Sequence, residues 1–410
     1  MTLTEQCKMS PEQVSSLGIQ DTFNRKNNLG ISRDLEGNWW TSYIIGAETI
    51  NSQPLQILPK LDNIDFMTLF VYAIMYQPSS KYFSNYYDIK WDEKTIISSR
   101  LYDILSPLLI VQYLTILKKL VGRGLKKDYI LEQDNLHSKI RGRILPLEQF
   151  RKNIVNNRND FFYCRYQEFS ENIPMNRLLK RALDVSLNIL GDIRSKSNSL
   201  KSNRYYSSII NVIESFRNVD SKVNMQSVKV NRFDKLNPFY YDAIKLAKLI
   251  LRHQENSITK GKVEKKVPPF WIDMSRLFEI YVLGKLTNSY ANKILFQVPG
   301  SYYTQCDYLH TGEYIIVDAK YKPWYETAQG RKDHYHDMIS DIREISGYAR
   351  DEKLLTYFNV NTDTIPCCLI VHPGVATPCF NKPLKEIIKT TKIEGFKEFY
   401  HLGISLPCIC

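Results

Sequence analysis

The chain has 410 residues, of which 43% are hydrophobic and 24% are charged, as is ordinary for a soluble globular protein of two or three domains. Its formal net charge of +12 favours polyanions as partners, although many soluble proteins are mildly basic. None of the eight cysteines forms a Cys-x-x-Cys pair, which argues against a zinc ribbon; reduced thiols in a cytoplasmic protein are the simplest account.

The basic surplus is unevenly distributed along the chain. Residues 1–253 hold 36 Lys and Arg against 25 Asp and Glu, whereas residues 254–410 hold 19 against 18. The stretch from Lys118 to Arg181 alone has 15 basic and 7 acidic side chains. Binding of phosphate groups would therefore depend mainly on the middle of the chain, and the acidic groups of the C-terminal part need another reason.

The first 91 residues predict a small mixed, β-rich N-terminal module. Residues 1–30 are polar and are expected to be loosely ordered. From Asn38 to Pro59 the aromatic and β-branched residues, punctuated by Gly46, predict short strands. Asp65 to Met75 predicts a buried helix.

Residues 92–253 predict a mainly helical middle region, because apolar residues recur there at helical spacing. The most apolar stretch, Ile104 to Leu117, contains Pro107 and is too short to span a bilayer. The N-terminus also lacks the basic start and apolar run of a targeting segment. We therefore expect no membrane association and a cytoplasmic protein. A polar stretch at 254–267 resembles a linker.

The C-terminal region, residues 268–410, predicts an α/β domain. A helix should begin near Met274 with Asp273 as its N-cap. Strands are expected at 294–298, 302–309 and 314–320, followed by a helix at 337–350 and a short buried strand at 368–371.

The third of these strands carries unusual charges. Side chains alternate along a strand, so Asp318 and Lys320 share one face of an otherwise apolar segment, where a buried carboxylate is costly unless it is paired or binds a metal. Residues 310–313 predict a tight turn. A loop of two or four residues would place Leu309 opposite Tyr314, and Asp307 diagonal to Asp318 within about 8 Å. A three-residue loop would break this arrangement.

Two carboxylates without a nearby soft ligand suit a hard cation such as Mg²⁺. Such an ion activates water and binds phosphate oxygens, while Lys320 would orient or deprotonate the water and offset negative charge. Glu279 could add a third carboxylate from the preceding helix. This chemistry suits phosphodiester hydrolysis. The alternative is an Asp318–Lys320 ion pair on an edge strand with Asp307 merely solvated.

The segment from Phe270 to Pro373 resembles the nuclease domain of the McrC family, the cleavage subunit of modification-dependent restriction systems. The run IIVDAKYK closely resembles the family's sequence motif, and DIREISGYA and MSRLFEIYV resemble the family's helices on either side of it. The resemblance implies a restriction-endonuclease-like domain, a mixed sheet flanked by helices, with a PD-(D/E)XK active site. It assigns Asp307, Asp318 and Lys320 to that motif and places Glu279 at an extra acidic position. All four are expected to be catalytic, with the three acids as metal ligands.

The resemblance covers roughly residues 40 to 375, because LQILPK, IRGRI and NRLLKRAL also resemble family segments. The sequence departs from the family at two positions. Cys306 stands where the motif has proline, and Glu344 stands where glutamine is common. The first position is commonly varied and has no chemical requirement, whereas the second leaves the role of Glu344 open.

The resemblance implies an Mg²⁺-dependent restriction endonuclease subunit that cuts double-stranded DNA with an AAA+ GTPase ring of the McrB type. The chain has no P-loop sequence, so it has no nucleotide site of that kind, and GTP is expected on the partner, which would recognise the modified DNA. Two alternatives remain open. One is a stand-alone DNA repair nuclease of the same superfamily, and the other is a non-catalytic adaptor that activates an AAA+ partner.

Overall fold

The computed structural model describes residues 1–19, 30–34, 36–76, 87–90, 93–196, 204–229, 238–258, 266–358 and 365–408. The chain forms two compact units. Unit 1 comprises Met1–Leu108 and Glu264–Cys410, and unit 2 comprises Leu109–Val263. Unit 2 is therefore an insertion between the two segments that build unit 1.

Unit 1 contains a five-stranded sheet built mostly from the N-terminal residues. Its strands, in spatial order, are Thr2–Thr4, Gln53–Leu58, Ile44–Ile50, Phe270–Asp273 and Tyr87–Ile89. The strands predicted between Asn38 and Pro59 are confirmed, as is the buried helix, which spans Phe66–Tyr76.

The expectation of loose order at the N-terminus is wrong for the residues that are described there. Thr2–Thr4 pairs in parallel with the strand Gln53–Leu58, and Ser10 caps a short helix at Pro11–Ser16. Burial of Leu3, Met9 and Leu17 anchors this polar-looking segment. Residues 20–29 lie outside the described part of the chain.

The strand Phe270–Asp273 joins the N-terminal and C-terminal segments of unit 1. It lies between Ile44–Ile50 and Tyr87–Ile89 and is antiparallel to both, and Trp271 Nε1 donates a hydrogen bond of 2.9 Å to Glu48. The sequence analysis separated 1–91, 92–253 and 268–410, whereas the structure groups the first and last of these regions. A four-residue strand whose partner lies more than 200 residues away leaves no local signal of this pairing.

A second five-stranded sheet lies in the C-terminal segment. Its strands, in spatial order, are Ile294–Pro299, Gln305–His310, Ile315–Ala319, Cys367–Pro373 and Phe399–Ile404. The first three are antiparallel and the last two pairings are parallel, so the sheet is mixed. This confirms the α/β class predicted for the region.

Two helices accompany this mixed sheet, as the sequence predicts. Met274–Tyr290 begins at Asp273, whose side chain accepts a hydrogen bond from the Arg276 amide at 3.1 Å. Tyr335–Tyr348 buries an apolar stripe that includes Ile342 and Ile345 in the core beside the sheet. All five residues of the strand Ile315–Ala319 are buried, which is typical of a central strand with both faces covered.

Unit 2 combines helices with a three-stranded antiparallel sheet. The prediction of a mainly helical region missed this sheet, whose order is Asp128–His137, Phe161–Ser170 and Arg143–Ile144. Only Cys164 is buried in the two long strands, so their sequences lack the regular apolar alternation that marks a half-buried strand. The helices of unit 2 include Pro146–Gln149, Phe150–Ile154 (a π-helix), Pro174–Lys196, Arg204–Ser215 and Phe239–Ile258.

The long antiparallel pair Asp128–His137 and Phe161–Ser170, here called the ribbon, exposes apolar side chains at one end. Tyr129 lies opposite Phe169, with ring centroids 5.2 Å apart, and Leu131 lies two residues along on the same face. The exposed fractions are 66% for Tyr129, 59% for Leu131 and 59% for Phe169. Contiguous exposed apolar groups are typical of a surface that binds a partner.

The apolar stretch predicted to be too short for a bilayer belongs to a longer helix, Ser99–Gly122, of 24 residues. By length and composition this one helix could cross a membrane, among the residues described. However, 56% of its most apolar window is buried within the protein, as in the core helix of a soluble protein.

Candidate active site

The strands Gln305–His310 and Ile315–Ala319, here called the carboxylate hairpin, bring the predicted acids together. The observed register pairs Leu309 with Ile316 and His310 with Ile315, so the loop has four residues. The prediction that Leu309 faces Tyr314 is therefore wrong. The pair that closes the hairpin is His310 and Ile315, one residue later on each strand. Because the loop length stays even, the acids still share a face, and the register, if extended, sets Asp307 directly opposite Asp318.

The shift has a local cause at His310. The sequence analysis placed His310 in the turn, but its side chain is fully buried and it belongs to the strand. Its Nδ1 accepts a hydrogen bond from the Glu313 amide at 3.2 Å, which closes the turn one residue later. Tyr314 accommodates this turn with a positive φ of 58°.

The hairpin forms one wall of a cavity of about 410 Å³ in unit 1. All four residues predicted as catalytic or metal-binding line it, namely Glu279, Asp307, Asp318 and Lys320. Other lining residues that the sequence analysis did not assign to the site include Tyr43, Arg276, Gln305, Lys322, Asp341 and Tyr348. The structure thus brings the predicted set together, while the role of each residue stays a prediction.

Three of the acids that line the cavity, Glu279, Asp307 and Asp318, make one another costly to ionise. Burial raises the pKa of Asp318 well above its usual value, and the nearby Asp307 raises it further. Burial and then Glu279 raise the pKa of Asp307 to about 6. Burial raises the pKa of Glu279 to about 7, although Arg276, 2.9 Å away, opposes the shift. A site of this kind is stabilised by an added positive charge.

Lys320 supplies part of that charge. Its Nζ lies 2.9 Å from Asp318 Oδ2 and 2.8 Å from Glu344 Oε2. Burial alone would lower the pKa of Lys320, but these two carboxylates raise it above the usual lysine value. Lys320 is therefore held as an ammonium, and Glu344, which also accepts a hydrogen bond from Tyr348 at 3.0 Å, fixes its position.

A second ion pair lies beside the first and was missed by the sequence analysis. Lys322 Nζ donates to both carboxylate oxygens of Asp341 at 2.8 Å, and Tyr325 donates to the same carboxylate at 2.9 Å. The signal was present in the spacing. Two lysines separated by one residue in a strand-like run share a face, and Asp341 and Glu344, three apart, share a face of the following helix.

Asp307 and Asp318 fit a hard cation. One oxygen of Asp318, Oδ2, is buried and accepts no hydrogen bond of acceptable geometry, despite its ion pair with Lys320. Asp307 Oδ2 accepts a hydrogen bond from the Ala319 amide at 2.9 Å. Mg²⁺ commonly binds one or two carboxylates and keeps several waters, which matches such a pair.

Glu279 is not arranged with these two acids as a third ligand. Its carboxylate is engaged by Arg276, and no group of three or more His, Cys, Asp or Glu is set to hold a metal ion in the part of the chain that the structure describes. Its assignment as a metal ligand and catalytic residue stays a prediction.

The basic stretch Lys118–Arg181 lies in unit 2. Gly142 takes a positive φ of 68° between Arg141 and Arg143. Arg141 stacks over the Tyr166 ring at 4.2 Å and lies 3.5 Å from Glu168. These contacts are those of a surface arginine engaged by its own unit, so a DNA-binding role for the stretch stays a prediction.

Comparison with known proteins gives a family match over most of the chain. The family profile described as McrBC 5-methylcytosine restriction system component matches residues 41–351. No curated protein matches. Among solved structures, a half-complex of Thermococcus gammatolerans McrB AAA+ hexamers with bound McrC is 15% identical, covering 100% of this chain and 95% of that chain, with a TM-score of 0.36. The Thermococcus gammatolerans McrBC complex is 16% identical, covering 83% and 99%, with a TM-score of 0.29.

Proposed function

We propose that this chain, which belongs to the family of McrBC 5-methylcytosine restriction system components, is the metal-dependent DNA endonuclease subunit of such a system. The observation that carries the proposal is the meeting of Asp307, Asp318 and Lys320 at one cavity, with Asp318 buried and its Oδ2 2.9 Å from the Lys320 ammonium. An arrangement of buried acids and a lysine is costly for folding alone and is a marker of functional sites. The domain would then be of the restriction-endonuclease type.

Asp307 and Asp318 are the residues that would hold Mg²⁺. When bound, the ion would polarise a phosphate oxygen and lower the pKa of a bound water. The two carboxylates orient that ion within the cavity, and its charge would favour their ionised forms. Glu279 is proposed to act as an additional acid beside them, held by Arg276.

Lys320 stabilises the negative charge that develops on the phosphate during attack by water. Its ammonium is fixed between two carboxylates, so little reorganisation is needed when the charge appears. Glu344 acts through Lys320 as a positioning residue. This assigns a function to the residue that departs from the glutamine common in the family.

The proposed partner is an AAA+ GTPase of the McrB type, because the chain has no P-loop. The names of the compared structures place McrC with McrB AAA+ hexamers. We propose that residues before about Gln254 dock on such a ring, and the exposed ribbon residues of unit 2 supply an apolar surface for this contact. The partner would recognise the modified DNA, in the cytoplasm.

The test is cleavage of modified plasmid DNA by the full chain with Mg²⁺, GTP and an AAA+ GTPase of the McrB type. Asp318→Asn keeps the shape of the side chain and removes its charge, so we expect a loss of cleavage of about a thousandfold or more. Asp333→Asn, an exposed acid of unit 1, is the matched control. GTPase stimulation should be unchanged in both variants, and the melting temperature should not fall in either.

The same assay separates the alternatives. Cleavage by the chain alone, without GTP or partner, would favour the stand-alone repair nuclease. Stimulation of the GTPase without any cleavage by the wild type would favour the adaptor. Full cleavage by Asp318→Asn would refute the assigned site.

A further inference from the structure

The loop Gly300–Thr304, here called the tyrosine loop, presents two aromatic side chains to solvent. It joins the strands Ile294–Pro299 and Gln305–His310 of the mixed sheet. Tyr302 and Tyr303 have exposed fractions of 98% and 105%, which are the highest among the exposed large hydrophobic residues of the described chain. Both have positive φ, 51° and 63°, which is uncommon for residues other than glycine. Rings so exposed contribute nothing to a core.

The backbone beneath these rings is held in place. The Asp351 carboxylate accepts hydrogen bonds from the Ser301 amide at 2.7 Å and from the Ser301 hydroxyl at 2.9 Å. Lys353 Nζ donates to the Gly300 carbonyl at 3.1 Å, and the Gly300 amide donates to the Thr304 carbonyl at 2.9 Å. A loop that is already ordered presents its side chains without an entropic cost on binding.

The tyrosine loop leads directly into the candidate active site. Gln305, which follows it, lines the cavity, and Asp307 lies on the same strand. Tyr303 precedes Asp307 by four residues, which span at most about 13 Å of chain. That span corresponds to at most about four nucleotide steps of a DNA strand. A DNA duplex whose phosphate lies at Asp307 would therefore have bases within reach of the two rings.

We propose that Tyr302 and Tyr303 form a base-stacking wedge that contacts duplex DNA a few base steps from the scissile bond. The inference rests on the proposed nuclease function. Aromatic rings stack on any base, so the contact holds DNA in register without reading its sequence, and wedge residues commonly insert at opened base steps. Lys353 at the base of the loop adds a positive charge for the adjoining backbone. Continuity with the cavity favours DNA over a protein as the occupant.

The experiment uses the full chain with its AAA+ partner and a modified duplex that carries 2-aminopurine at successive steps beside the cut. We expect Tyr302→Ala/Tyr303→Ala to raise KM for DNA about tenfold or more, because the stacking contacts are lost, and to change kcat by less than about threefold. Tyr302→Phe/Tyr303→Phe keeps the rings and should behave as the wild type. Tyr335→Ala, which removes another exposed ring of unit 1, is the matched control.

Stacking is read separately from cleavage by the fluorescence of 2-aminopurine. The wild type and the phenylalanine variant should quench it at a few steps on one side of the cut, and the alanine variant should not. Unchanged KM and unchanged quenching in the alanine variant would overturn the wedge and leave the nuclease function standing. Loss of the complex with the GTPase, with quenching intact, would assign the rings to a protein contact and also overturn the wedge. If the wild type cuts nothing, the nuclease function fails, and quenching by the uncleaved complex still decides the wedge.

Discussion

The mixed sheet of unit 1 and the ribbon of unit 2 depart from the usual burial pattern in opposite directions. The mixed sheet buries charge, with exposed fractions of 2% for Asp318 and 7% for Glu279 beside it. The ribbon exposes apolar groups, with 59% for both Leu131 and Phe169. In a chain selected only for stability, the acids would lie outside and the apolar groups inside.

Each departure is unfavourable in the isolated chain and is relieved by a different kind of binding. A buried carboxylate gains when a cation or a positive side chain approaches it. An exposed apolar patch gains when another protein covers it. On the proposed function, the chemistry belongs to unit 1 and the ribbon of unit 2 contributes to docking, and three experiments can break or sharpen this division.

The largest effect is expected from Lys320→Ala. Removing the ammonium takes away charge stabilisation in the cavity, so cleavage should fall by about a thousandfold. Glu344→Gln is the matched control, since it keeps a hydrogen-bond acceptor for Lys320, and it should lose about threefold or less. GTPase stimulation, which we expect to depend on residues before about Gln254, should survive both changes. If Lys320→Ala abolished GTPase stimulation while folding normally, the separation of the two tasks would be wrong.

The next effect is on stability and pH in the absence of Mg²⁺. Because the pKa values of Glu279 and Asp307 are raised to about 7 and about 6, the folded chain keeps protons that the unfolded chain has lost. The free energy of unfolding should therefore fall as pH rises from 5 to 8. Glu279 accounts for roughly 3 kcal/mol of this decrease at most. Thermal melting across this range measures the slope, and Mg²⁺, which favours the ionised acids, should reduce it.

Glu279→Gln isolates this contribution from those of other titrating groups. The variant should show a shallower decrease than the wild type between pH 5 and 8, with the two proteins closest at the acid end. Identical pH profiles for the two proteins would show that burial of Glu279 does not destabilise the fold. The claim that unit 1 buries charge at a cost would then be wrong.

The smallest effect concerns the ribbon. Leu131→Ser with Phe169→Ser should weaken association with the AAA+ GTPase about tenfold, because apolar area is lost from the proposed interface. Val375→Ser, which changes a residue of unit 1 with an exposed fraction of 86%, is the matched control. Pull-down in the presence of GTP measures the affinity. Equal binding by all three proteins would remove the ribbon from the docking surface.

The sequence predicted the parts of the candidate site that depend on local pattern. The apolar run around Asp318 predicted a buried strand. A loop with an even number of residues was expected to place Asp307 on the same face of the sheet as Asp318. The exact register failed, because nothing local shows that His310 is buried and continues the strand. Whether the two acids share a face depends only on whether the loop has an even or an odd number of residues. The register of the strands depends in addition on which residues near the turn are buried.

The features that were missed depend on long-range contacts or on weak alternation. The pairing of Phe270–Asp273 with Ile44–Ile50 joins segments far apart in sequence. The ribbon strands have few buried residues, so no clear period of two was visible. The spacing placed Lys322 and Asp341 each on a face of its own segment, but the packing of the chain after the strand Ile315–Ala319 against the following helix, which forms the ion pair, depends on long-range contacts.

The insertion of unit 2 within unit 1 has a consequence for synthesis on the ribosome. The strand Ile44–Ile50 emerges early, but its neighbour Phe270–Asp273 is translated only after unit 2. At typical elongation rates this delay is roughly 10 to 45 s. During that interval the nascent N-terminal sheet has an unpaired edge, which chaperones are suited to cover. The acids of the cavity are translated later still, so the proposed DNA-cutting site can form only after unit 2 has left the ribosome.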